Sequence, residues 1–108
     1  MSKNFKLKPE AIQQLIESTD SCTATDKITI EGLKVGFFYR EAPRFENDSG
    51  WRMMSGRESK EYISDSANTG IYDLNTIANY DPAIIAFLDF PVGSELKRRP
   101  GTDIFKLL

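Results

Sequence analysis

The sequence predicts an α+β domain: a small, mostly antiparallel sheet with an N-terminal helix and a second short helix near residues 82–89. Three observations carry this reading. Apolar residues recur at period two between residues 28 and 40, as half-buried strands require, and short apolar runs follow at 51–54 and 71–74. Pro9 and Pro82 each stand where a helix begins. Glu31-Gly32, Asn47-Asp48-Ser49-Gly50, Ser55-Gly56 and Pro100-Gly101 supply turns between these segments.

In chain order, Pro9 and Glu10 suit a helix N-terminus, and Ala11, Ile12, Leu15 and Ile16 form a stripe at helical spacing. The stripe fades into Ser18-Thr19-Asp20-Ser21, which reads as a polar break. Ile28 and Ile30 alternate with polar neighbours. Leu33, Val35, Phe37 and Tyr39 then share one face, with Lys34, Gly36, Phe38 and Arg40 on the other, so a β-hairpin is the economical assignment. Residues 42–50 read as a loop and residues 51–54 as a strand. Tyr62 and Ile63 anchor a short strand or turn in a polar stretch, and residues 71–74 form another strand. Asp81 is the expected N-cap of a helix starting at Pro82, whose buried side is Ile84, Ile85 and Leu88. Residues 95–98 and 104–108 close the chain as a hairpin.

The composition, 40% hydrophobic and 28% charged over 108 residues, fits one domain spanning 1–108. No apolar run approaches the ~20 residues that span a bilayer. The basic start is interrupted by Pro9 and Glu10 before any signal-peptide core. The expected compartment is the cytoplasm, with no membrane partner. Cys22 is the single cysteine and histidine is absent, which excludes an internal disulfide, a thiolate zinc site and every Ser-His-Asp or Cys-His arrangement within the chain. No metal or other cofactor is expected. A formal net charge of −2 speaks against a nucleic-acid partner, and Lys97-Arg98-Arg99 reads as the decoration of a hairpin tip.

Several side chains are candidates for binding. Arg40 and Arg52 lie on predicted strands, where a guanidinium fork grips a carboxylate or phosphate, or ties loops to Asp48 or Asp73. Asp48, Asp73 and Asp81 could also serve acid–base chemistry or a hard metal. Turn, ion-pair and cap roles are the simpler account of them. Asn75 and Asn79 are four apart and share a face if their segment is helical, where asparagine commonly bonds backbone. Trp51 and Tyr72 are the aromatic candidates; Trp51 after a glycine turn is either an interface anchor or core.

Three stretches stand out together: Val35-Gly36-Phe37-Phe38-Tyr39-Arg40-Glu41, then Asp48-Ser49-Gly50-Trp51-Arg52 with Ser55-Gly56, then Gly70-Ile71-Tyr72-Asp73-Leu74-Asn75-Thr76-Ile77-Ala78-Asn79-Tyr80-Asp81-Pro82. Their order and wording resemble immunity protein family thirty-three over residues 35–93. The resemblance implies an α+β fold and the role of antidote in a bacterial polymorphic-toxin system, acting on a protein partner, the cognate toxin. It supplies no catalytic residues. The stretch after Ser55-Gly56, often acidic in that family, reads Arg57-Glu58-Ser59-Lys60-Glu61 here, so a partner surface built on acidity is not implied at that place.

The leading expectation is a non-enzymatic protein that neutralises a toxin by stoichiometric binding through Arg40, Asp48, Trp51, Arg52, Tyr72, Asp73, Asn75 and Asn79. The alternatives are a small-ligand or accessory domain, or a minor enzyme with Arg40, Arg52 and Asp73 in one pocket. Oligomeric state is left open. Because the chain lacks the ligands for a metal or disulfide staple, thermal unfolding with and without chelator and reductant is expected to coincide. A large drop in midpoint with chelator is the contrary result.

Overall fold

Residues 3–108 are described by the structure, a computed structural model. The chain opens with a strap, residues 3–20, that contains one 3-10 turn at Pro9–Ala11. The predicted N-terminal helix is reduced to this turn. Its backbone is captured instead by two side chains. Asn75 Oδ1 accepts from the N–H groups of Leu15 at 2.7 Å and Ile16 at 3.2 Å, and Asn79 Oδ1 accepts from that of Gln13 at 3.0 Å. Both amide groups donate to the Gln13 carbonyl at 2.8 Å. A helix this short is marginal in water, so these bonds outweigh its own ladder.

Strand β1 (Ser21–Thr25) follows where the sequence reads as a polar break, and helix α1 (Asp26–Thr29) replaces the first strand of the predicted hairpin. Ser21, Thr23 and Thr25 mask the alternation of β1, although threonine suits a pleated surface and Cys22 and Ala24 are buried. Ile28 in α1 is buried and Ile30, which caps its C-terminus, is half-buried, so two isoleucines at spacing two do not discriminate helix from strand. Strand β2 is Phe37–Arg40, and β3 is Asp48–Met54, beginning three residues before the predicted run. Tyr62 and Ile63 fall in helix α2 (Lys60–Ser64), where Ser59 Oγ accepts from the Tyr62 N–H at 3.1 Å. Strand β4 is Thr69–Asp73 and leads directly into helix α3 (Leu74–Tyr80). The expected helix after Asp81 is a 3-10 helix, Pro82–Phe87. Strands β5 (Glu95–Arg98) and β6 (Phe105–Leu107) form the final hairpin, as predicted.

The strands make one six-stranded sheet in the order β4-β1-β3-β2-β5-β6. Only the β1–β3 pair is parallel; the α+β class and the mostly antiparallel sheet agree with the sequence. One face carries the core. Cys22, Ala24, Phe38, Trp51, Met53, Leu96 and Phe105 from the sheet meet Ile28, Leu74, Ile77 and Ile84 from the helical layer. Phe38 is its aromatic centre, with ring centroids 5.1 Å from both Trp51 and Phe105. Such pairs add roughly 0.5–1.5 kcal/mol beyond their buried area. No helix among the described residues is long and apolar enough to cross a membrane.

Asp81 caps Pro82–Phe87 by accepting from the Ala83 N–H at 3.2 Å, and it does more. Its Oδ2 accepts from the Val35 N–H at 3.1 Å and from Arg98 Nη2, which joins the 3-10 helix, the approach to β2 and the end of β5. Arg98 in turn donates to the Val35 carbonyl at 2.8 Å. Asp81 is essentially unexposed, so its removal orphans the Val35 N–H and leaves the largely buried Arg98 guanidinium with the exposed Asp103 as its one carboxylate. Asp81→Ala is therefore expected to cost about 3–5 kcal/mol, above the ~0.5–2 kcal/mol of a lost cap alone. Urea unfolding measures this; a loss confined to the smaller range would show that Arg98 and Val35 find other partners.

Candidate functional site

The sheet's second face has no covering layer of helices. Strand register arranges it in two transverse rows. One row runs Ile71–Thr23–Arg52–Tyr39–Glu95 across β4, β1, β3, β2 and β5. The other runs Met54–Phe37–Lys97–Lys106 across β3, β2, β5 and β6. Phe37 and Tyr39 lie side by side with ring centroids 5.8 Å apart. Ile71 is 61% exposed, a large aliphatic surface in the middle of a strand. Residues 41–47 and α2 rim this face, enclosing with Thr23, Tyr39, Arg52 and Thr69 a shallow depression of about 330 Å³ into which Phe45 and Ile63 also project.

Arg52 is the fixed point of the face. Its Nη1 and Nη2 grip Asp48 Oδ1 and Oδ2 at 3.0 and 2.7 Å, and its Nε donates to Glu41 Oε2 at 2.7 Å. A two-pronged carboxylate contact of this kind is geometrically specific as well as strong. Arg44 Nε also reaches Glu41 Oε2, at 3.0 Å. Asp48 additionally accepts from the backbone N–H groups of Arg44 at 2.8 Å and Gly50 at 2.9 Å, which folds the loop onto β3. Gly50 is required here: its φ is +90°, and a side chain would strike the Glu41 carbonyl. The Arg52 hydrogen bonds hold the Asp48 carboxyl far below the usual carboxylate range; burial opposes this, and the two backbone N–H groups assist it.

The remaining sequence candidates are placed elsewhere. Arg40 lies on the core face, donating from Nε to the Ser49 carbonyl at 2.9 Å and from Nη1 to the Phe90 carbonyl at 2.8 Å. Its guanidinium is 5.6 Å from the Trp51 ring. Trp51 is fully buried, with Nε1 donating to the Leu88 carbonyl at 3.0 Å. Tyr72 packs edge-on against Phe5 beneath the strap. Asp73 is exposed at the end of β4, and Asn75 and Asn79 hold the strap. Arg40, Arg52 and Asp73 therefore do not line one pocket. Asp48 and Arg52 are brought together, and Asp73 shares their face of the sheet. Among the described residues no cluster of three acidic or cysteine side chains is positioned to hold a metal. Burial raises the Cys22 thiol well above its ordinary range, which disfavours the reactive thiolate.

Sequence reading did not single out Phe37, Tyr39, Met54, Ile71, Lys97 and Lys106 as members of one surface. Period-two alternation separates Phe37 and Tyr39 from Phe38, but it does not say which side is covered. Cross-strand register is the missing information.

The fold and this face define a small α+β protein with one packed and one uncovered side of a six-stranded sheet. The sequence model of the Immunity protein Imm33 domain matches residues 22–107, from β1 through β6. The chain belongs to that immunity-protein family. No curated protein and no solved structure shows significant similarity to it.

The depressed Asp48 titration fixes a sign. A carboxyl whose folded pKa lies below its unfolded value of ~3.9 contributes stability that is fully present above that value and lost as pH falls below it. Wild-type stability is expected to drop as pH falls from about 4, and Asp48→Asn, less stable at pH 7, should show a flatter acid limb. Parallel acid limbs in urea unfolding across that interval would contradict this.

Proposed function

We propose that this chain silences a toxin protein by binding it one to one through the uncovered face of its sheet. The observation that carries the proposal is that face itself: ordered strands bearing Phe37, Tyr39, Met54 and Ile71 without a covering layer, in a chain of an immunity-protein family. Rigid strands lose little conformational freedom on docking, which favours affinity. A standard interface takes ~800 Å² from each partner. That is a modest part of the 6763 Å² this chain presents. Occlusion of the toxin needs shape and affinity from these side chains and no catalytic group. In this reading Arg52 and Asp48 hold the face in shape, Tyr39 and Ile71 supply contact, and Asp73 lies at its margin. The interaction belongs in the cytoplasm of the producing cell.

The test is a titration of the toxin encoded beside this chain's gene. Protection is expected to saturate near one equivalent, with a dissociation constant in the nanomolar range or tighter, roughly −12 kcal/mol. Ile71→Arg, at an exposed position, should weaken binding by at least ~30-fold, the scale of a hot-spot loss. Its unfolding midpoint should stay near wild type. Protection at far below one equivalent, or covalent change in the toxin, overturns the proposal.

A further inference from the structure

The second row of the uncovered face ends in a like-charge pair. Lys97 on β5 and Lys106 on β6 are direct cross-strand partners, both exposed, on the same side of the sheet. Like charges directly opposite destabilise a strand pair. Among the described residues neither ammonium forms an ion pair, whereas Arg98, between them in the hairpin, is tied to Asp81 and Asp103 on the opposite face. Phe37 is the direct partner of Lys97 across β2–β5, and Met54 that of Phe37 across β2–β3. The row therefore changes, strand by strand, from apolar to doubly cationic. Arg57, which lines a depression with Lys97, and Arg99, which directly follows β5, are both exposed and without an ion pair among the described residues.

Resting on the reading that this face binds a toxin, we infer that the partner surface is acidic where it meets β5 and β6. Carboxylates of the toxin pair with Lys97 and Lys106, and an adjoining apolar side chain lies on Phe37 and Met54. The net charge of the whole chain, −2, does not predict this; the local arrangement does. Exposed lysines at the edge of an apolar contact act mainly on encounter. They accelerate association at low ionic strength and repel partners of the wrong sign. The two lysines also guard β6, an edge strand, against adventitious strand pairing.

The experiment compares association rates with the toxin encoded beside this chain's gene, at low and high salt, for wild type, Lys97→Glu/Lys106→Glu and a control of equal charge change on the strap, Lys6→Glu/Lys8→Glu. The expected result is a rate reduced about tenfold or more in the first variant at low salt, with a weakened salt dependence, and a control within about twofold of wild type. Equal rates for both variants and wild type overturn the inference while leaving one-to-one protection intact. Failure of wild type itself to protect overturns the functional reading, and this inference with it. A 20-nucleotide single-stranded DNA serves as a second probe. Binding to it that is abolished by Lys97→Glu/Lys106→Glu, with toxin association unchanged, assigns the lysines to nucleic acid and overturns the acidic protein partner. A readout independent of any partner is the thermal midpoint of Lys106→Glu alone. It should rise above wild type as repulsion across β5–β6 becomes attraction, and a fall would remove the argument from like charge.

Discussion

Arg52 cannot leave the middle of the sheet, and the uncovered face is organised around that constraint. Its strand, β3, lies between β1 and β2, so the guanidinium is largely withdrawn from water and must be paired. Asp48 on the same strand and Glu41 from the adjoining loop provide that pairing. Satisfying one cation thus fixes the course of residues 41–47, the position of Gly50 and the wall of the depression beside Tyr39. A polar network of this kind adds less to stability than an apolar core of equal volume, but its geometry admits few alternatives. The face is therefore shaped before any partner arrives.

The opposite face follows a different rule. Its side chains are apolar and its cover is short: two helices of four and seven residues, α1 and α3, and the 3-10 helix Pro82–Phe87. Helices so brief have little stability apart from what they bury. The short helices are fastened individually at their starts, the 3-10 helix by Asp81 and, at the rim of the other face, α2 by Ser59. Asp81 is the most connected of these fastenings, because it also receives Val35 and Arg98. The two faces differ accordingly: one packs the chain against itself, and the other has no covering layer of helices.

The sequence was legible where the decisive interactions are local. The Asp81-Pro82 start, the alternation in β2 and the hairpin around Pro100-Gly101 depend on near neighbours, and the structure contains all three. It was illegible where distant groups decide. The stripe Ala11, Ile12, Leu15, Ile16 loses its helix to asparagines some sixty residues away. β1 hides behind serine and threonine, and α1 imitates a strand because only two isoleucines mark it. At the candidate site the Asp48–Arg52 pair was among the options that residue chemistry offered. The alignment of Lys97 with Lys106 and Phe37 required a register that no single segment contains.

The clasp formed by Asn75 and Asn79 has a consequence of another kind. It touches the strap solely through main-chain atoms at positions 13, 15 and 16, which every amino acid except proline presents alike. At positions 13 and 15, both exposed, the strap can therefore exchange its side chains without losing this hold, whereas Ile16 also packs on the core. The matched family region begins at residue 22, after the strap ends. Side-chain contacts hold the strap elsewhere, through Phe5 on Tyr72, Ile16 on the core and Lys3 on Asp26, so the freedom to vary is confined to the exposed positions that the two asparagines grip by backbone.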